Sequence, residues 1–161
     1  MDLDCGCHVT TILDSLPTLE KKLATIRKCS AEDISNLVKN VIPQDRLPLQ
    51  YLAGLSTGDR TVCYHTTMIC WTVTGSMMVP REMQLQAVLS DYQKKDCLIA
   101  AGTGSGKTLP IALCILLNNP AANLITITIS PLKCLQVTQK LDFDSHFQYQ
   151  LSLSMKTLLA T

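Results

Sequence analysis

The most constraining feature of this sequence is the stretch Ala101–Thr108, which reads Ala-Gly-Thr-Gly-Ser-Gly-Lys-Thr. It matches the Walker A pattern G-x-x-x-x-G-K-[ST], with alanine at the first glycine position. Its three glycines within five residues let the backbone adopt positive φ angles and wrap closely around an anion. The successive N–H groups of such a turn form a nest for phosphate. The stretch therefore predicts a phosphate-binding loop.

The residues on either side of the loop predict alternating strands and helices. The short apolar run Cys97–Ala101 is typical of a strand covered on both faces. The β-branched run Leu124–Ile129 predicts a second strand. Helices are expected over Thr108–Leu117 and from Leu132 to about Leu141. This order predicts an α/β fold with a parallel sheet and a right-handed crossover.

The loop residues suit a nucleotide with a magnesium ion. Their backbone N–H groups, together with the positive end of the following helix, would hold the phosphates. Lys107 would reach the β- and γ-phosphates, and the Thr108 hydroxyl would bind Mg²⁺. The alternative is a glycine-rich turn that binds nothing, and the predicted flanking strand and helix argue against it. The predicted nucleotide site is Gly102, Thr103, Gly104, Ser105, Gly106, Lys107 and Thr108.

Residues 1–75 read as a mainly helical region of unknown function, and residues 76–161 as the region that carries the loop. In the first region, apolar residues at helical spacing predict a helix that starts at Pro17, where proline is tolerated. Ser30 is a favourable N-cap and predicts a second helix, Ser30–Val41. Pro43 is expected to end that helix.

The middle of the chain is less regular in its pattern. Residues 43–60 contain two prolines and two glycines and read as loop. Residues 61–74 are rich in Thr, Val and Tyr and predict a strand or a buried turn. Within them, Trp71 is expected in the core rather than stacked on a base. A helix is predicted over Pro80–Tyr92.

Composition excludes several classes of protein. Hydrophobic residues make up 47% and charged residues 17%, which excludes wholesale disorder. With 14 basic and 13 acidic residues, the net charge of +1 excludes a strongly basic tail or an acidic solvating segment. The nine-residue apolar run Leu109–Leu117 is far shorter than the roughly 20 residues of a membrane span. The acidic N-terminus does not resemble a signal peptide, so we expect an intracellular protein without a membrane partner.

The eight cysteines are interpreted as reduced thiols, because no secretory signal is visible. The cluster Cys5-Gly6-Cys7-His8 has C-x-C spacing, whereas zinc sites usually use C-x2-C pairs. Unligated thiols are therefore favoured over zinc at this cluster. Four other cysteines lie among apolar neighbours and are expected to behave as small hydrophobic side chains: Cys70, Cys97, Cys114 and Cys134.

Three motifs occur in order, Arg81–Gln84, the loop Ala101–Thr108 and Ser130–Leu135, and they resemble motifs of the RecQ-type DNA helicases of superfamily 2. The loop is similar to motif I of that superfamily. Arg81-Glu82-Met83-Gln84 resembles the R-x-x-Q element, and Gln84 precedes Lys107 by 23 residues, the spacing of that family. Ser130-Pro131-Leu132-Lys133-Cys134-Leu135 resembles motif Ia, and Lys95-Asp96-Cys97-Leu98-Ile99 resembles the strand before motif I. The family usually has an aromatic residue before the arginine, where this chain has Pro80.

The resemblance implies an incomplete RecA-like P-loop NTPase lobe within residues 76–161, with ATP and Mg²⁺ as cofactors. It implies that Gln84 pairs with the adenine edge and that Arg81 supports the same pocket. It also places Ser130, Pro131 and Lys133 where motif Ia contacts the backbone of single-stranded DNA. A solvent-exposed helix face for Gln84, and a solvated charge for Lys133, are the alternatives. A nuclear location is the family expectation.

A motor of this family also needs a Walker B acidic pair at the end of a strand and a second RecA-like lobe. Asp142-Phe143-Asp144 follows a polar, helical segment and reads as surface loop, so we find no such pair. The chain is therefore expected to be an N-terminal portion of a helicase, truncated or mis-spliced, that binds ATP and nucleic acid without being an active motor alone.

Whether the chain is an enzyme stays open at this point. The alternative is a degenerate helicase relative that acts as a non-catalytic interaction module through residues 1–75. A small-molecule kinase is a third possibility, and the Ser-Pro-Leu segment argues against it. Oligomeric state, DNA substrate and polarity do not follow from these patterns.

Overall fold

The computed structural model describes Leu13, residues 15–102 and residues 104–118. The chain divides into two compact units, residues 1–119 and residues 120–161, and all described residues belong to the first. The helices of this part are α1 (Leu19–Lys28), α2 (Ala31–Val41), α3 (Leu49–Ala53), α4 (Thr57–Val73), α5 (Glu82–Tyr92) and α6 (Thr108–Leu117), with a 3₁₀ turn at Gln44–Arg46.

The starts of α1 and α2 follow from local capping chemistry. The Thr18 side chain accepts a hydrogen bond from the Lys21 N–H, so α1 begins two residues after the predicted Pro17. Ser30 caps α2 by accepting from the Asp33 N–H at 3.1 Å, which confirms the predicted second helix. The predicted helices Pro80–Tyr92 and Thr108–Leu117 are also confirmed, as α5 and α6. Helix α5 starts two residues later than predicted.

Helix α4 is the centre of this unit. It packs against α1, α2 and α3 on the N-terminal side of the sequence and against α5 and α6 on the C-terminal side. Ile69 and Cys70 on α4 are fully buried, and Trp71 is only 8% exposed, so its predicted core position is confirmed. The Arg46 guanidinium lies over the Trp71 ring, 5.4 Å from its centroid.

The prediction of a strand or buried turn over residues 61–74, and of loop over residues 43–60, is wrong. Helix α4 runs through both segments, and α3 and the 3₁₀ turn occupy most of the rest. Along α4 the threonine hydroxyls donate to carbonyls four residues back, as Thr66 does to Val62 O at 2.8 Å and Thr67 to Cys63 O at 2.7 Å. Burial against five other helices outweighs the β-propensity of the threonines.

The predicted α/β fold with an incomplete RecA-like parallel sheet is contradicted, because the described residues are helical and contain no strand. The expected first strand, Cys97–Ala101, has irregular backbone, and Leu98 is 96% exposed. A strand requires a second segment for its backbone hydrogen bonds, and no described segment pairs with this one. The other expected strand, Leu124–Ile129, and the helix Leu132–Leu141 lie outside the described residues.

Cysteine burial agrees with the expectation in part. Cys70 is buried and Cys114 is half-buried, whereas Cys97 is exposed, so its predicted role as a buried hydrophobe is wrong. Cys134 and the cluster Cys5-Gly6-Cys7-His8 lie outside the described residues. Among the helices that the structure describes, none has the length and apolar character to cross a membrane.

Candidate phosphate-binding site

The loop before α6 has the backbone conformation that its glycines predict. Gly104 and Gly106 both have φ of 77°, in the left-handed region that disfavours side chains. The Ser105 N–H donates to Gly102 O at 3.4 Å, and the Leu109 N–H donates to Gly106 O at 3.2 Å. The loop therefore makes a tight turn whose second half leads directly into the helix.

Two polar features of this turn are suited to an anion. The Ser105 Oγ atom is buried and has no hydrogen-bond partner among the described residues. Helix α6 begins without a side-chain cap, since Lys107 stands at the N-cap position. An uncapped helix start presents unpaired N–H groups and the positive end of the helix dipole. A phosphate oxygen would accept hydrogen bonds from the N–H groups at the helix start.

Lys107 and Thr108, the predicted ligands of phosphate and metal, lie at the start of α6. The Lys107 ammonium is exposed and donates to two loop carbonyls, Ala101 O at 2.5 Å and Gly102 O at 3.1 Å. Thr108 is the first residue of α6 and is half-buried. The described residues contain no group of three His, Cys, Asp or Glu side chains that could hold a metal. At this site, Mg²⁺ would be held jointly by the Thr108 hydroxyl and phosphate oxygens.

Gln84 lies against the loop, although it comes from a different helix. Its Nε2 atom donates to Gly106 O at 3.0 Å, across 22 residues of sequence. Its Oε1 atom accepts from the Arg81 N–H at 2.8 Å and so closes the start of α5. The side chain is 4% exposed, so the alternative of a solvent-exposed helix face is wrong.

Gly106 and Gln84 are in direct contact. A Cβ atom built on Gly106 would lie 2.6 Å from the Gln84 Nε2 atom, a distance that real Cβ contacts do not reach. No pattern in the sequence predicted this contact. The only local signal was that Gln84 is three residues after Arg81, the spacing of an N-cap and N3 pair, which predicts that its side chain folds back toward the helix start.

The remaining predicted site residues are placed as follows. Arg81 is the exposed N-cap residue of α5. Gly102 is exposed and belongs to the turn through its carbonyl. Outside the described residues lie Thr103 of the loop and the predicted DNA-contacting residues Ser130, Pro131 and Lys133.

Comparison with known proteins gave a match to a family model. Residues 81–160, just under half of the chain, match the family model of the DEAD/DEAH box helicase. No curated protein and no solved structure gave a match. The matched segment starts at Arg81 and includes the glycine-rich loop. It supports a relationship to the superfamily 2 helicases and a helicase-related function that includes nucleotide binding in general.

Proposed function

We propose that this chain binds ATP with Mg²⁺ through the loop Gly102–Thr108, as the nucleotide-binding part of a RecQ-type DNA helicase. The observation that carries the proposal is the turn with two glycines at φ of 77°, which leads directly into α6. The turn stands at an uncapped helix start, which favours an anionic ligand.

Isothermal titration calorimetry with Mg²⁺ and ATP, on the purified chain and on Lys107→Ala, tests the proposal. The matched control is Lys95→Ala, because Lys95 is also exposed and its ammonium donates to a neighbouring side chain, that of Gln93, at 2.8 Å. We expect Lys107→Ala to weaken binding by about tenfold or more, since one charge-assisted contact contributes about 1.5–3 kcal/mol. Equal affinities of Lys107→Ala and the parent chain for ATP would refute the site.

The RecQ type rests on the spacing between Gln84 and Lys107 and on the order of the three segments. Single-stranded DNA is the proposed partner, with contacts from Ser130, Pro131 and Lys133. Fluorescence anisotropy with labelled DNA over a range of salt concentrations would test it, because each phosphate contact contributes to the salt dependence. If Lys133→Ala bound DNA with the same affinity and the same salt dependence as the parent chain, Lys133 would not be part of the interface.

We propose binding without sustained hydrolysis. The 161 residues contain no strand-like run that ends in an Asp-Glu pair, which would hold Mg²⁺ and activate water. A phosphate-release assay with and without DNA measures this directly, and turnover abolished by Lys107→Ala would contradict it. A nuclear location is proposed from the family resemblance alone, and imaging of a tagged chain would test it.

A further inference from the structure

Two cysteines lie on opposite flanks of the glycine-rich loop, at similar distances along the chain. Cys97 is five residues before Gly102, and Cys114 is six residues after Thr108. Cys97 is exposed on the irregular segment that precedes the loop, whereas Cys114 is half-buried on α6. Each flank of the turn therefore carries one thiol.

The end of α5 directs the chain back along that helix toward Cys97. Lys94 has φ of 59°, and its N–H donates to Asp91 O at 2.9 Å. The Lys95 N–H donates to Ser90 O, also at 2.9 Å. These two bonds form a Schellman motif, which reverses the chain at a helix C-terminus. The reversal places Cys97 two residues beyond a bond to the last turn of α5, the helix that packs against α6.

The surroundings of Cys114 bring the two thiols into one cluster. Burial, the Asp91 carboxylate and the Cys97 sulfur together raise the pKa of the Cys114 thiol to about 12. Asp91 takes part in the reversal after α5, so the same corner of the structure contains Asp91, Cys97 and Cys114. The two thiols differ in access, because an oxidant in solution reaches the exposed Cys97 before the half-buried Cys114.

We propose that Cys97 and Cys114 form a reversible disulfide across the two flanks of the glycine-rich loop when the protein meets a peroxide. The Cys97 sulfur attacks hydrogen peroxide, the O–O bond breaks, and Cys97 becomes a sulfenic acid as one water leaves. The Cys114 sulfur then attacks the Cys97 sulfur and displaces its hydroxyl group, which leaves as water with the Cys114 proton. Two thiols thereby lose two electrons, and one peroxide is reduced to two waters.

The disulfide holds the two flanks of the loop together and uses no residue of the loop itself. Residues 97–101 belong to no helix, so this segment can approach α6 without breaking helical hydrogen bonds. A cross-link restricts the unfolded chain more than the folded one, so the oxidised protein is expected to melt at a higher temperature. Disulfides of intracellular proteins are usually transient and redox-sensing, which suits a link that reductants reverse. The disulfide forms whether or not the loop binds nucleotide.

Peptide mapping of the full chain by mass spectrometry tests this pairing. The reduced protein is exposed to hydrogen peroxide, blocked with N-ethylmaleimide and digested without reductant. We expect the peptides of Cys97 and Cys114 to be joined in about tenfold excess over any other disulfide of Cys97, because thiols close together in one fold have a high effective concentration. Dithiothreitol should restore both thiols. Scanning calorimetry should give a higher melting temperature for the oxidised form than for the reduced form.

Cys114→Ser and Cys29→Ser are the matched variants, since both cysteines are half-buried. We expect Cys114→Ser to abolish the link and to leave Cys97 as a sulfenic acid that dimedone traps, whereas Cys29→Ser retains the link. The peptide map of the unsubstituted chain decides the pairing even if a variant does not fold.

Four results would overturn the proposal. The first is a disulfide of Cys97 with any other cysteine in place of Cys114. The second is oxidation of Cys97 while Cys114 keeps a free thiol. The third is a link between Cys97 and Cys114 that forms only in denaturing urea, because it would not depend on the fold. The fourth is an oxidised form that melts below the reduced one, because the link would then distort the flanks of the loop.

Discussion

At the scale of single residues, Gly106 is a position where both the backbone conformation and the neighbouring side chain favour glycine. Its φ of 77° disfavours any side chain, and a Cβ atom would lie 2.6 Å from the Gln84 amide nitrogen. We expect Gly106→Ala to lower the free energy of unfolding by at least about 1–2 kcal/mol, the strain of left-handed backbone, and to weaken phosphate binding. Urea denaturation and calorimetry measure the two effects.

Gly58 supplies the control for that substitution. It lies in the first turn of α4, and a Cβ atom there meets nothing within 4 Å. We expect Gly58→Ala to stabilise the chain by about 0.5–1 kcal/mol, because alanine is favoured over glycine in a helix. Equal effects of the two substitutions would show that neither the left-handed backbone of Gly106 nor its contact with Gln84 is formed in solution.

The buried thiol of Cys70 gives the stability a dependence on alkaline pH. Burial raises its pKa from 9.0 to about 12. A folded-state pKa above the unfolded one means that the stabilisation is complete below pH 9.0 and is lost as the pH rises from there toward 12. We expect the free energy of unfolding of Cys70→Ala to fall less steeply above pH 9.0 than that of the parent chain. Parallel curves would mean that Cys70 is accessible to water.

The residues of the loop were predictable from sequence to the extent that their chemistry is local. Glycines at fixed spacing before a lysine and a threonine already imply positive φ angles and a helix start, and both are observed. The burial of Gln84 was not predictable, because it depends on a partner 22 residues away whose carbonyl direction no local pattern encodes. By residue type, its amide can pair with a base or with backbone groups, and no local pattern distinguishes the two.

At the scale of secondary-structure elements, side-chain caps did not decide which helices were predicted, because α4 is capped by Ser56 and was missed, whereas α6 has no such cap and was predicted. The cap by Ser30 located α2 correctly, whereas α4, which is rich in threonine, was read as strand or turn. The apolar run Cys97–Ala101 was read as a strand, although a strand exists only when a second segment supplies hydrogen bonds. Periodicity indicates which face of a segment is apolar. Whether an apolar segment forms a strand also depends on a second segment that supplies hydrogen bonds.

The C-terminus of α6 is held by an element from the other end of the described chain. Arg27 of α1 donates from Nε and Nη2 to Leu116 O, at 2.9 and 2.5 Å. A guanidinium at this position pairs with carbonyls that the helix leaves unsatisfied and with the negative end of its dipole. We expect Arg27→Met to reduce the free energy of unfolding by about 1.5–3 kcal/mol, the value of hydrogen bonds from a charged group.

Lys28→Met is the matched control, because Lys28 is the exposed neighbour of Arg27 and carries the same charge. We expect it to change the free energy of unfolding by less than about 0.5 kcal/mol, as for other surface positions. Urea denaturation of the three proteins provides the comparison. A loss that is the same for Arg27→Met and Lys28→Met would assign the effect to net charge rather than to the contact with Leu116.

At the scale of the whole molecule, the predicted boundary at residue 75 separates a region of unknown function from the region that carries the loop. Helix α4, before that boundary, packs against α5 and α6 after it, and Arg27 reaches Leu116 across it. Contacts of this kind couple the stability of the two sides when they are buried and numerous. The boundary can therefore be tested by asking whether helices on its two sides unfold together.

Native-state hydrogen exchange in increasing urea, read out by mass spectrometry, tests it on the peptides that cover α1, α2 and α6. We expect all three helices to open with the same free energy near the global transition, because each packs on α4. Ile69→Ala on α4, where Ile69 is fully buried, should lower that free energy by about 2–5 kcal/mol in all three. Leu49→Ala is the control, since Leu49 is 48% exposed on α3.

The three helices could instead respond differently to Ile69→Ala. If α1 and α2 lost protection while α6 kept its own, the two sides of residue 75 would open independently, and residues 1–75 would behave as a separate domain. A uniform response would mean that α6, which follows the glycine-rich turn, belongs to the same cooperative body as α1 and α2. The C-terminal end of that turn would then be stabilised by the hydrogen bond from Gln84 to Gly106 O and by the packing of α6 on α4.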